Sequence, residues 1–374
     1  MKQGCRKKTK NNRGITLIAL AVTILVLIIL ASISIKALTG DNGIIGQSKN
    51  AKDSAEIDSE KEVIETSVVQ ATGKDRYGNI TKENMQKYMD KNAGEGKTEV
   101  IDNGDTLVVK FIESNRYYEI DVDGNAEGPK ELIKDEYAGD LSKGGKNDGS
   151  EEKPFEINCI EDLVAFSQSV NSGNTYTGMY VRLMRTLNFN SIFSYNDYLT
   201  TEYDEYLGGD GTNELRKQLS QSGNGFVPIG NSEDVNFGGF QGYFEGCNYE
   251  IQNIYINQES YSGLFGYISG ARSIQNLGIS GKIISTNGIA GGLIGYYCIG
   301  NTAIETLVKN CYNEADIYSY GGTTVYWSTE GAAGGIIGNV QGNITIDCCY
   351  NKGTVTGEMS AGGIIGRNRC NVYY

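Results

Sequence analysis

The 374-residue sequence predicts a mostly β fold, a solenoid of repeats preceded by a long hydrophobic N-terminal α-helix and a small α+β unit. Three observations predict it. A glycine-rich phrase recurs four times in the C-terminal half, and a repeat with short strands and paired glycines cannot enclose a core alone but can stack on its neighbours. Composition runs the same way, with 50 Gly and 25 Tyr against 3 Pro, which favours turns and strands. Near the N-terminus, the 21 residues from Ile15 to Ile35 carry no charge. As a helix they would reach about 31 Å, enough to cross a bilayer core.

Taken in order, residues 1–14 form a basic leader holding Lys2, Arg6, Lys7, Lys8, Lys10 and Arg13 without an acid. That charge holds the leader in the cytoplasm and places everything beyond Lys36 outside, so the chain is expected at the cell membrane and surface with an extracytoplasmic body. Residues 15–38 are the hydrophobic, transmembrane helix. The run is too long for a secretory signal and lacks a small-x-small cleavage site. Residues 39–72 follow as a helical stalk, with Val63, Ile64, Val68 and Val69 set among charges. Residues 73–128 read as a small α+β unit. Thr81 caps a helix bearing Met85, Tyr88 and Met89, and three strands follow, the first two joined by a turn containing Asn103 and Gly104. Residues 129–154 have the composition of a flexible linker.

Residues 155–374 hold the repeats. The phrases begin SGLFG at Ser262, AGGLIG at Ala290, AGGIIG at Ala333 and AGGIIG at Ala361. Their glycines are Gly263 and Gly266, then Gly291, Gly292 and Gly295, then Gly334, Gly335 and Gly338, then Gly362, Gly363 and Gly366. The last glycines of successive phrases lie 29, 43 and 28 residues apart. Such glycines suit sharp corners or close backbone approach, with the Leu/Ile pairs pointing into a core.

The repeats resemble the GLUG motif of bacterial surface proteins, and upstream residues extend the resemblance. The segment from Pro154 to Asn190 is similar to the family's opening strand and short helix, and FVPIG from Phe226 and FQGYFEG from Phe240 are similar to its later elements. The resemblance implies a right-handed parallel β-helix on a cell surface, and it carries no catalytic motif. The N-terminus resembles the type IV prepilins, with Gly14 before the cut and Ile15 as the first, N-methylated mature residue. That resemblance implies a prepilin peptidase as partner, and pilin-like subunits as further partners. It departs from the pattern at Ala19, where a pilin carries Glu to pair with the new α-amine.

The chemistry available is limited. No His is present, which removes the commonest general base and most zinc sites, and no cofactor or metal is expected. The net charge of −13, which becomes −19 without the leader's six bases, disfavours nucleic acid. Cys311 and Cys349 sit in matching CYN phrases at the position of Leu277, which fits thiols stacked in a core or a disulfide. DVDGN at Asp121–Asn125 reads as a strand-ending turn, since the Glu of a calcium loop is missing. Candidate ligand-binding residues lie in two insertions, Tyr318, Tyr320, Tyr326 and Trp327 in one and Tyr195, Tyr198 and Tyr203 in the other. Their rings can stack on glycans or protein side chains, or cover a strand edge. The chain is therefore expected to be a non-enzymatic, membrane-anchored structural or adhesive protein. A minor pilin is the first alternative. A polysaccharide-acting enzyme is the second, with acids at Asp197, Glu202, Asp204 and Glu205. The last phrase stops without a polar cap, which leaves open a longer protein or an abrupt end.

Overall fold

The structure is a computed structural model that describes residues 44–73, 80–104, 106–132, 147–195, 214–221, 223–230, 239–298, 305–321 and 331–369. Two compact units divide the chain, Met1–Ile101 with Val109–Pro129 and Asp102–Val108 with Lys130–Tyr374. The leader and the apolar run of residues 15–38 lie outside the described residues. Among those described, no helix is long and apolar enough to cross a membrane.

In the first unit, α1 (Ile44–Thr72) and α2 (Lys82–Ala93) accompany a sheet of β1 (Thr98–Asp102), β2 (Leu107–Phe111), β3 (Arg116–Ile120) and β4 (Ala126–Lys130), in sequence order. The turns between these strands are too short for parallel crossovers. Thr81 caps α2 by accepting from the Asn84 N–H, and Met85 and Met89 fall one turn apart on its buried side. The fourth strand was not expected from AEGPK; as the end strand it tolerates Pro129, whose missing N–H would break a central ladder.

Of the helical stalk expected over 39–72, Ile44–Thr72 is helix. The C-terminal half of α1 buries Ile64 and Val68 in this unit and is fastened by polar contacts. The Glu60 carboxylate accepts from Tyr118 Oη at 2.6 Å, Ser114 Oγ at 2.6 Å and Arg116 at 3.2 Å, and Arg116 also donates to Glu56 at 3.3 Å. Burial and the Glu60 bond push the Tyr118 phenol well above its ordinary range, so it remains a donor. At the turn after β3, Asp121 accepts from Asn125 N–H and Nδ2 and from Asp123 N–H. Its carboxylate is consumed by its own turn, in keeping with a strand-ending role.

The second unit opens with β5 (Phe155–Ile157), α3 (Ile160–Asn171), β6 (Tyr180–Leu183) and β7 (Leu187–Asn188). Asp162 caps α3 by accepting from the N–H groups of Asn158 and Cys159. Phe166 on α3 meets Tyr176 and Phe240 edge-on, with ring centroids 5.1 and 5.5 Å away, and closes one end of the core. Within the expected linker, residues 133–146 are outside those described, but Gly149 is tied down, its carbonyl accepting from the Tyr180 N–H at 2.8 Å. The upstream insertion contributes a short α4 (Glu214–Leu219).

From Tyr243 onward successive repeats add strands to the same three parallel sheets, the last described one to two of them. One sheet runs β19 (Ile344–Asp347), β14 (Thr306–Lys309), β11 (Ser273–Ser285), β8 (Tyr243–Gln258), β6, β5. Alongside it β15 (Tyr312–Asn313) and β16 (Asp316–Ser319) pair with β11, and β20 (Tyr350–Asn351) and β21 (Val355–Gly357) pair with them in turn. The second sheet is β10 (Phe265–Ile268), β13 (Ile294–Cys298), β18 (Ile337–Gln341), β23 (Ile365–Asn368). The third is β9 (Tyr261–Ser262), β12 (Ile289–Gly291), β17 (Ala332–Gly334), β22 (Ser360–Gly362).

Register aligns equivalent residues into columns. Val181, Phe244, Ile274, Val308 and Ile346 are successive partners and all buried. Phe265, Ile294, Ile337 and Ile365 form a second column. Each buried aliphatic contributes about 1.5–3 kcal/mol. FVPIG extends the second sheet by one more partner, because Ile229 pairs with Phe265 while Pro228, lacking an N–H, sits at the edge.

The phrase glycines are required by close approach, not by corner geometry. None of them adopts a left-handed φ; the corners beside the first sheet are made by Asn276 (φ 54°), Asn310 (φ 52°) and Cys348 (φ 53°). A Cβ on Gly292 would stand 2.2 Å from the Gly335 carbonyl oxygen, and one on Gly335 would stand 2.1 Å from that of Gly363. On Gly363 it would meet nothing within 4 Å.

Candidate functional site

The outward side of the first sheet carries the aromatic and charged groups capable of recognition. In β16, inward Ile317 and Ser319 alternate with outward Tyr318, which places Tyr318 and Tyr320 on one side. Their rings are near-parallel with centroids 6.5 Å apart, and Lys282 Nζ lies 5.4 Å from the Tyr318 ring centre. Tyr318 therefore has neighbours that compete with any stacked ligand, whereas Tyr320, 43% exposed, presents more of its ring to solvent. Of the other expected aromatics, Tyr326, Trp327, Tyr198 and Tyr203 lie outside the described residues, as do Gly14 and Ile15.

Tyr195 is a correction. It is 2% exposed, its hydroxyl donates to the Phe189 carbonyl at 2.9 Å, and the Arg216 guanidinium stacks 5.9 Å from its ring centre. A residue enclosed in this way packs the insertion onto the core and has no free face for a ligand. Burial also lowers the Arg216 pKa.

A second cluster combines two matching phrases. Tyr312 and Tyr350 are register partners whose rings stack at 5.1 Å with 2° between planes. Tyr312 lies across Gly278, where a side chain would collide with its ring, and its hydroxyl donates to Glu250 on the far side. Burial and the Glu250 bond push the Tyr312 phenol up, while the bonds from Tyr312 and Gln252 hold the Glu250 carboxylate below its ordinary value. Lys352 lies 5.2 Å from the Tyr350 ring centre and pairs with Glu314 at 2.7 Å. Tyr350 is 44% exposed. A third group clusters Tyr261, Tyr267 and Tyr296, with Tyr296 at 5.1 Å from Tyr261 and 5.7 Å from Tyr267, and burial pushes the Tyr267 phenol up to about 12. With their pKa values raised, the Tyr312, Tyr267 and Tyr296 phenols are protonated donors at neutral pH.

The cysteines follow the columns. Gly278, Tyr312 and Tyr350 are in register, so Leu277, Cys311 and Cys349 occupy one position in successive strands. Both cysteines are free thiols. Among the described residues no three Cys, Asp or Glu side chains converge to hold a metal.

No family model matches the chain. A protein of Evansella cellulosilytica provisionally named a Gly-rich membrane protein is 32% identical over 99 residues. That match takes in 25% of this chain and 11% of the relative, so the chain spans about a tenth of the relative's length. Among solved structures, a Bacteroides ovatus protein provisionally named an immunoglobulin A1 protease aligns with 64% of this chain and 70% of its own, at 20% identity and a TM-score of 0.35.

Proposed function

We propose that this chain is a cell-surface structural or adhesive protein, cut by a prepilin peptidase between Gly14 and Ile15 and held in the membrane by residues 15–38. Residues 155–374 form a right-handed β-solenoid of GLUG-type repeats that displays outward tyrosines to surface glycans or proteins. The observation that carries this reading is the register. Equivalent residues of consecutive repeats pair in parallel across three sheets, which is how a solenoid grows, and one position carries Tyr312 and Tyr350 in consecutive repeats. The membrane assignment rests on the uncharged run of Ile15–Ile35 behind six basic residues, and the name of the Evansella relative agrees with it.

Mass spectrometry of the mature N-terminus tests the proposal. A chain starting at Ile15, recovered in the membrane fraction with its body accessible to external protease, is the expected outcome. A start at Met1, or a cut beyond Lys36, would overturn the processing step.

One observation favours a minor pilin as the second reading. Glu60 and Glu56 lock α1 to β3 through Arg116, so force on the helix passes directly to the folded unit, as a filament subunit requires. Ala19 weighs against it, because a buried α-amine without a carboxylate partner is costly. Co-purification with pilin-like subunits distinguishes the two.

A further inference from the structure

We propose that Cys311 and Cys349 are an oxidisable pair that closes to a disulfide between neighbouring strands by exchange with a low-molecular-weight disulfide.

The two residues precede Tyr312 and Tyr350, which are direct parallel partners, so their side chains leave adjacent strands at the same position of the repeat. Neighbouring strands lie about 4.8 Å apart, inside the window of about 4.4–6.8 Å between Cα atoms that a disulfide spans. The thiols also share one environment shifted by one repeat. Cys311 Sγ donates to the Ile274 carbonyl at 3.6 Å and Cys349 Sγ to that of Val308 at 3.6 Å, and Ile274 and Val308 are themselves partners. Both sulfurs therefore point the same way in one column, one strand spacing apart.

Their surroundings assign different roles. Cys349 is only partly buried, and hydrogen bonding from Cys311 lowers its pKa. Cys311 is fully buried, and the bond to Cys349 together with burial raises its pKa. Cys349 is thus the attacking thiolate and Cys311 the resolving one. Cys349 loses its proton to solvent and attacks one sulfur of the external disulfide, forming a mixed disulfide and expelling one thiolate, which is protonated. Cys311 then gives up its proton and attacks Cys349 Sγ, expelling the second thiolate, so two protein thiols and one disulfide become one protein disulfide and two small thiols. Exposed Cys348 is not the attacking group, because the Asp347 carboxylate accepts from its thiol at 3.1 Å and raises its pKa.

The bridge would enclose 37 intervening residues and tie β20, in the repeat that begins at Ala333, to β15 of the repeat before it. The full-length chain, reduced and freed of reductant, is incubated with oxidised glutathione, capped with N-ethylmaleimide, and mapped by mass spectrometry after non-reducing digestion. The expected product is a Cys311–Cys349 peptide pair two hydrogens lighter than its separate parts, with two glutathiones released per bridge formed. Cys311→Ser should halt the reaction at a Cys349–glutathione adduct, and Cys348→Ser should still give the bridge. A wild-type chain that retains the Cys349 adduct, caps both thiols, or joins Cys348 instead would overturn the proposal. The wild-type map decides alone if a variant loses its circular-dichroism spectrum.

Discussion

Alanine at Gly335 and at Gly363 should have opposite consequences although both are the second glycine of an AGGIIG phrase. At Gly335 the new methyl would lie 2.1 Å from the Gly363 oxygen and 2.5 Å from Asn351 Cγ, so the next strand must retreat by more than an ångström. Overpacking of this kind costs about 1–3 kcal/mol. The retreat also stretches the bonds Gly335 N–H to Gly362 O, 3.0 Å, and Ile336 N–H to Ile364 O, 2.9 Å, each contributing about 1 kcal/mol. The sum is about 3–5 kcal/mol, which for a unit of this size lowers Tm by roughly 6–20 °C. At Gly363 a Cβ would meet no atom of the described residues within 4 Å beyond its chain neighbours, and φ is not left-handed, so alanine restricts the unfolded chain at little steric cost. The expected change there is within about 0.5 kcal/mol or slightly stabilising. Thermal and urea unfolding of the two variants, followed by circular dichroism, checks both values. Equal losses at the two sites, or a Gly335→Ala variant within about 0.5 kcal/mol of wild type, would show that these glycines do not mark backbone contacts between neighbouring repeats.

Glu60→Ala should cost about 1–3 kcal/mol, because it leaves the buried Tyr118 hydroxyl without its acceptor and takes one carboxylate from Arg116, which keeps Glu56. Hydrogen exchange should report faster amides in β3 and α1, and a loss below about 1 kcal/mol would refute the coupling. The Glu250–Tyr312 bond predicts an acid-sensitive end to the first sheet. Because the folded state holds the Glu250 pKa below its ordinary 4.5, the stabilisation is fully present above that pH and is lost as pH falls through the folded value. Tyr312→Phe should flatten the decline in stability below about pH 4.5; an unchanged slope would remove Glu250 from the account.

The repeated phrase made the parallel, strand-rich pairing of the described repeats legible because its spacing and its apolar pairs are both periodic. The position shared by Leu277, Cys311 and Cys349 was legible for the same reason. Less could be read where a structural role depends on a distant partner. Nothing local to Glu60 announces that Tyr118, 58 residues later, will donate to it, so α1 reads as a solvated helix by its own charges. The corners are made by Asn276, Asn310 and Cys348 and not by the phrase glycines, since αL is open to asparagine and the glycines serve interstrand contact. Tyr195 misleads because aromatic rings in an insertion look the same whether they face solvent or, as here, the core. For Tyr312 and Tyr350 the signal was present, in that both follow a cysteine in the same three-residue phrase, 38 residues apart.

The parallel pairing also sets how this chain would yield under tension. Tension applied between the first and last stacked strands of the second unit would load their hydrogen bonds one pair at a time. The last strands would peel away first, and each repeat released would lengthen the tether by the contour of about 29–43 residues, on the order of 100–150 Å. Such a molecule dissipates a pull in steps and keeps its remaining repeats folded, a property that depends on the number of stacked repeats and very little on which residues face outward.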